Sequence, residues 1–221
     1  MLIEGLMETD SEQIENILDF AAENADTIIH LISNSEIVDD IPLLGTVNKA
    51  FKIGTTIRDQ IFAKKVWRFL ITIRGISETE RNKFIADLEK SAIVEKVGET
   101  LLGLLDKFDD SRKSELLGKL VKTKISGEID ESNFFRLSHV VMHSYYPDLL
   151  RLKDLRGFAL PSEELRMSLL SLGLIFKTTR SETVYFEKDK HAIVANYSLS
   201  DIGILLDRII NNLETTSNDK H

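Results

Sequence analysis

The 221-residue sequence contains no cysteine and only three prolines, Pro42, Pro147 and Pro161. Without cysteine the chain can form neither a disulfide nor a thiolate zinc site, and thiol catalysis is excluded. Proline breaks helices when it lies in their interior, and each of these prolines is placed where a helix can begin. The shortage of proline therefore favours long helices and a mainly α-helical fold.

Long apolar runs are missing as well. No run of about 18 uncharged apolar residues is present, so the sequence predicts no membrane span. The start, MLIEGLMETDSEQ, has early acidic residues and no basic region, so we expect no signal peptide and a cytoplasmic protein. Hydrophobic residues still make up 43% of the chain, which is enough for a core, and the net charge of −8 disfavours general affinity for nucleic acid.

The first half of the sequence reads as a series of helices. Helical spacing of apolar residues predicts helical structure over residues 11–34 and one long helix of about eight turns over residues 42–74. Ser77 and Glu80 have the spacing of a capping box that begins the next helix. Further helices are predicted in the segments ETERNKFIADLEKS, IVEKVGETLLGLLDKFDD and SRKSELLGKLVKTKISG. We expect residues 1–127 to form a helical bundle domain.

The second half changes its period. Helices are predicted in ESNFFRLSHVVMHSYY, YPDLLRLKDL and PSEELRMSLLSLGL, after which LIFKTT begins an extended segment. Alternating apolar residues then predict a β-hairpin with EKDK at its tip: Val184, Phe186, Ile193, Ala195 and Tyr197. Ser200 can cap the last helix. This order predicts a winged-helix-like domain over residues 128–214, followed by a flexible tail over residues 215–221.

Many winged helices read DNA, so the charge of this domain is informative. The candidate contacts to DNA are Arg166, Arg180, Lys188 and Lys190. From residue 128 onward, however, 11 Lys and Arg residues face 14 Asp and Glu residues, a net charge of −3. Phosphate contacts need basic residues, so we expect the domain to serve packing or protein contact, with DNA-binding regulation as an alternative.

The predicted helix over residues 42–74 is the most basic stretch, with a net charge of +6 in an acidic protein. Three interpretations are open. The helix is a core element whose basic flank pairs with acidic segments such as VDD, LLDKFDD and DESN; or it lies on an anionic membrane with Trp67 and Phe69 near the interface; or it binds an acidic partner or a nucleic-acid backbone. The candidate interaction surface comprises Lys49, Lys52, Arg58, Lys64, Lys65, Arg68 and Arg74.

Catalytic and cofactor motifs are also missing. The sequence has no phosphate-binding glycine loop, no dinucleotide fingerprint, no H-E-x-x-H and no G-x-S-x-G. His139 and His143 are spaced to share one helix face, but no third ligand is near them in the sequence, so we expect no metal site. We therefore expect no enzyme activity, no cofactor and no small-molecule substrate.

The segment IPLLGTVNKAFKIGTTIRDQIFAKKVWRFL, followed by ELLGKLVKTKISGEIDESNFFRLSHVV, resembles a group of uncharacterised bacterial and phage-borne proteins over much of residues 37–145. The resemblance implies a role in defence or regulation and brings no activity or site residues. Taken together, the sequence predicts a non-enzymatic interaction or regulatory protein with a protein partner or self-association. The alternatives are a membrane-acting effector using residues 42–74 and a DNA-binding winged-helix regulator.

Overall fold

The computed structural model describes residues 56–74, 76–90, 97–156, 162–183 and 191–211. Within them the chain is mainly helical, with one two-stranded antiparallel sheet. The α-helices are α1 (Ile57–Ile73), α2 (Glu78–Lys90), α3 (Val97–Lys107), α4 (Lys113–Ile125), α5 (Glu131–His143), α6 (Tyr146–Leu150), α7 (Glu163–Ser171) and α8 (Asp201–Asn211). A 3₁₀ helix covers Leu152–Arg156, and the strands are β1 (Ile175–Thr183) and β2 (His191–Leu199). The prediction of a mainly helical chain with a small hairpin is confirmed.

The chain divides into two compact units, residues 1–138 and residues 139–221. The division falls inside α5, eleven residues beyond the boundary that the sequence suggested at residue 127. In the described part of the first unit, the core is formed by apolar side chains of α1 to α5. Phe84 of α2 meets Phe134 of α5 edge to face, with ring centroids 5.7 Å apart. Both rings are buried.

Helix α1 begins at Ile57, so the prediction of one uninterrupted helix over residues 42–74 is wrong. Thr56 has an extended backbone (φ −85°, ψ 147°), and its hydroxyl accepts a hydrogen bond from the backbone N–H of Asp59 at 3.2 Å. A threonine in this conformation is an N-cap, because it satisfies a backbone donor that has no partner within the helix. The capping pattern Thr56-x-x-Asp59 was therefore the signal that the sequence interpretation missed.

Helices α1 and α4 pack side by side and run parallel. Arg68 bonds to Glu115, and Thr72 lies against Gly118, so residue numbers rise together along both helices. A Cβ atom on Gly118 would lie 2.7 Å from the Thr72 Cβ, which is too close. The close approach therefore requires glycine at this position. Helix α4 continues for about two turns beyond this contact, and Lys122 and Lys124 in its last turn offset the partial negative charge of its C-terminal end.

In the second unit, the hairpin is joined to the helices on either side of it. The strands pair from Ile175 with Leu199 to Thr183 with His191. Ser200 follows β2; its hydroxyl donates to the Gly173 carbonyl at 2.6 Å and accepts from the Gly203 N–H at 3.0 Å. The predicted cap of the last helix is therefore confirmed, and the same hydroxyl holds the turn before β1.

Two further helix starts are also confirmed. At α2, the Ser77 hydroxyl accepts from the Glu80 N–H at 3.3 Å, and the Glu80 carboxylate accepts from the Ser77 N–H at 2.9 Å, a reciprocal capping box. Helix α6 carries Pro147 in its first turn. It is shorter than predicted, because the Arg151 N–H bonds to the Asp148 carbonyl, an i to i+3 pattern that leads into the 3₁₀ helix.

Several predictions lie outside the described residues: the helical structure over residues 11–34, the EKDK hairpin tip with Val184 and Phe186, and the tail over residues 215–221. Among the helices that are described, none has the length and apolar character needed to cross a membrane.

Candidate interaction surfaces

The candidate basic surface is largely engaged with acidic neighbours in the part of the chain that the structure describes. Arg58 is 81% exposed and lies 3.2 Å from the Asp106 carboxylate. Lys65 is buried, at 6% exposure, and its ammonium donates to the Asp106 backbone carbonyl at 3.0 Å. Arg68 forms an ion pair with Glu115. Pairing of the basic flank with the acidic segment LLDKFDD is therefore confirmed at Arg58, while Lys65 bonds to the main chain of the same segment.

The other members of this predicted surface do not form one exposed patch within the described residues. Lys49 and Lys52 lie outside the described residues, and Lys64 and Arg74 are half-buried. Burial lowers the pKa of Lys65, although the nearby Asp106 and Asp109 partly offset that effect. A lysine that loses this much hydration is a structural group rather than an open contact for phosphate or lipid.

The aromatic residues of α1 do not lie at a surface. Trp67 and Phe69 are 5% and 2% exposed, respectively, and belong to the core of the first unit. Placing these two side chains at a membrane interface is therefore wrong. The membrane interpretation of the basic stretch remains a prediction, but it loses its aromatic anchors.

The turn between α3 and α4 contains two basic residues, Arg112 and Lys113, that the sequence interpretation did not single out. Lys113 is fully buried, and its ammonium lies 2.5 Å from the Asp109 carboxylate. Asp110 accepts from the Arg112 guanidinium at 2.6 Å and from the Arg112 N–H at 2.9 Å. The Arg112 hydrogen bond lowers the pKa of Asp110. A lysine at a helix start is normally taken for a surface residue, and no periodic pattern marks this one as buried.

The predicted winged-helix contacts have only one described side chain. Arg166 of α7 lies over the Tyr197 ring, with its guanidinium carbon 5.3 Å from the ring centroid. A guanidinium within about 6 Å of an aromatic face is in a cation–π contact. Arg180 lies in β1, where its backbone pairs with Val194, and its side chain is outside the described residues. Lys188 and Lys190 are outside them too.

The outward face of α7 combines acidic side chains with one large apolar side chain. Glu163, Glu164 and Met167 are exposed, and Met167 shows 62% of its surface. At helical spacing these three residues share one side, opposite the buried Leu165 and Leu169. A hydrogen bond from its own backbone N–H, joined by one from Ser162, lowers the pKa of Glu164. This helix therefore presents negative charge and a large apolar side chain to solvent.

The two histidines of α5 lie together. Both His139 and His143 are exposed, and their ring centroids are 4.3 Å apart with an interplanar angle of 47°. No group of three or more histidine, aspartate or glutamate residues that could hold a metal ion occurs within the described ranges.

Comparisons with protein-family models, with curated proteins and with solved structures found no match to this chain. Its function must therefore be inferred from its own side chains. Two exposed features of the described residues bear on it: the outward face of α7 and the histidine pair of α5.

Proposed function

We propose that the chain is a non-enzymatic interaction or regulatory protein that contacts another protein, or a second copy of itself, through the outward face of α7. The observation that carries the proposal is the exposed combination of Glu163, Glu164 and Met167. Methionine is enriched in protein–protein interfaces and adapts its shape to a partner. The two carboxylates at its side would repel nucleic-acid phosphates.

The order of elements in the second unit supports a winged-helix-like arrangement as part of this proposal. Helix α7 precedes the hairpin, and α8 follows it. In a DNA-reading winged helix, the helix before the hairpin meets the major groove and supplies basic contacts. Here Arg166 is drawn toward Tyr197, and the exposed first turn of α7 is acidic. A helix with this charge is better suited to a protein surface than to a duplex.

The proposal is tested by comparing the wild-type chain with Met167→Glu. We expect the wild-type chain either to self-associate in a concentration-dependent way in light scattering or to capture a specific protein from the native host. Met167→Glu should abolish the interaction that is observed. Lys153→Gln is the matched control, because it changes the net charge by the same one unit at another exposed position of the same unit. The proposal would be refuted if the wild-type chain does not self-associate and captures no protein whose binding is lost in Met167→Glu.

The same preparation distinguishes the two alternatives. Salt-sensitive binding to random duplex DNA would support the DNA-binding regulator, since each phosphate contact releases counterions. Sedimentation with anionic liposomes would support the membrane effector. Arg58→Glu is the appropriate charge reversal for the liposome assay, because Arg58 is exposed and belongs to the basic stretch of that alternative. Reversing Lys65 would instead bury a carboxylate beside Asp106 and disrupt the fold.

A further inference from the structure

The histidine pair of α5 has the geometry of a small chelating site. His139 and His143 are one helical turn apart, so both imidazoles project from the same face. A tetrahedral ion with metal–nitrogen distances near 2.0–2.1 Å separates two ligating nitrogens by about 3.3 Å. Ring centroids 4.3 Å apart bring nitrogens of the two rings within that range after small rotations. Exposed side chains make such rotations at little cost.

The position of the pair on the helix also favours a cation. His143 is the last residue of α5, and the helix stops at Ser144, whose N–H bonds to the Val140 carbonyl at 3.0 Å. The C-terminal end of a helix carries a partial negative charge that attracts positive charge within its last turn. The net charge of −8 on the whole chain acts in the same direction over a longer range.

We propose that His139 and His143 together bind a divalent late transition-metal ion, Zn²⁺ or Cu²⁺, through their two neutral imidazoles. Imidazole is a ligand that these ions prefer, whereas Mg²⁺ and Ca²⁺ prefer oxygen. Because the described residues supply only two ligands, the other coordination positions are open to water or to a group from another molecule. The site is therefore accessible and reversible, and it is independent of the α7 face.

The test is a titration of the full, untagged chain with ZnCl₂ and with CuSO₄, followed by calorimetry and by thermal melts. We expect one ion per chain at this site and a higher Tm in the presence of metal, because an ion that binds only the folded chain stabilises it. Electron paramagnetic resonance of the Cu²⁺ form should show coupling to two nitrogen nuclei. Each single variant, His139→Ala or His143→Ala, should weaken the affinity at least about tenfold, since one imidazole lacks the advantage of a linked second ligand.

The matched control keeps the number of histidines constant and changes the spacing of the pair on α5. Arg136→His combined with His139→Ala leaves five histidines in the chain, as in the wild type. The remaining pair on α5 is then seven residues apart, about 10 Å along the helix axis, which is too far for one ion. Loss of binding in this double variant, with an unchanged far-ultraviolet circular dichroism spectrum, supports the proposal.

Two results would overturn the metal site. One is the absence of any metal-dependent change in the wild-type chain. The other is binding that survives in both single alanine variants, which would place the ion on other residues. Neither result bears on the α7 proposal, whose test uses Met167→Glu in the absence of added metal.

Discussion

At the scale of single residues, two glycines in helices have opposite surroundings. Gly118 of α4 lies against Thr72 and the Phe69 carbonyl, whereas a Cβ on Gly103 of α3 would meet no atom within 4 Å. Alanine is favoured over glycine in a helix interior by about 1 kcal/mol, so the intrinsic term is the same at both sites. Only packing distinguishes them.

We therefore expect Gly103→Ala to stabilise the chain by up to about 1 kcal/mol and Gly118→Ala to destabilise it by about 1–3 kcal/mol. The added methyl of Gly118→Ala forces α1 and α4 apart, because the clash involves the Cβ of Thr72 and cannot be relieved at a side-chain tip. Urea denaturation of both variants measures the difference. Equal shifts in the two midpoints would contradict the close packing of α1 against α4.

The lysines of α1 show what residue patterns conceal. Lys64 and Lys65 are adjacent in the sequence and were assigned to one basic surface, yet Lys65 is buried and Lys64 is only half-buried. Neighbouring helical residues project about 100° apart, so they can have quite different surroundings. Whether a lysine stem is covered depends on α3 and α4, which are distant in sequence. The composition therefore predicted the charge of this stretch but could not predict which of its basic side chains are exposed to a partner.

At the scale of elements, helix starts with local chemistry were predictable. The Ser77–Glu80 box and the Ser200 cap each depend on residues within four positions, and both occur as expected. Thr56 has the same kind of signal, but helical spacing of apolar residues continues on both sides of it, so that spacing alone predicts a longer helix. Pairing across elements, such as Arg166 with Tyr197, joins residues 31 positions apart, and no local pattern encodes it.

Ser200 offers a test at this scale, because one hydroxyl serves both α8 and the turn before β1. Ser200→Ala removes its bonds to Gly203 and to Gly173, and we expect a loss of about 1–2 kcal/mol. Ser200→Thr keeps the hydroxyl and should retain most of the stability. Ser198→Ala, at an exposed position of β2, is the control. If Ser200→Ala has the same Tm as the wild-type chain, the hydroxyl does not stabilise the contact between these elements.

At the scale of the whole molecule, carboxylates with lowered pKa values lie at the starts of three helices. The Ser77 hydroxyl lowers the pKa of Glu80, and the Arg112 guanidinium lowers that of Asp110. Burial raises the pKa of Asp109, but the hydrogen bond and charge of Lys113, with backbone hydrogen bonds, outweigh it and leave that pKa lowered as well. Backbone and Ser162 hydrogen bonds lower the pKa of Glu164. All four groups favour the folded chain when they are ionised.

The expected consequence is loss of stability in acid. A carboxylate with a lowered folded-state pKa contributes its full stability above its unfolded pKa of about 4, and the contribution is lost as the pH falls through the folded value. The Tm should therefore fall below about pH 4, where these groups take up protons. Thermal melts between pH 7 and pH 3 measure the slope, and a Tm that stays flat down to pH 3 would contradict the expectation.

A double-mutant cycle of Asp110→Asn and Arg112→Gln isolates one contribution to that slope. At pH 7 the two single changes should not add, because each removes the same charged contact. The Asp110 side chain is 25% exposed and that of Arg112 is 49% exposed, so the coupling should be small, about 0.5–1 kcal/mol. Once Asp110 is protonated at lower pH, the coupling should vanish. If the coupling energy is unchanged across this pH range, the contact depends on geometry and packing and not on the charge of Asp110. The contact would then not contribute to the acid sensitivity of the chain.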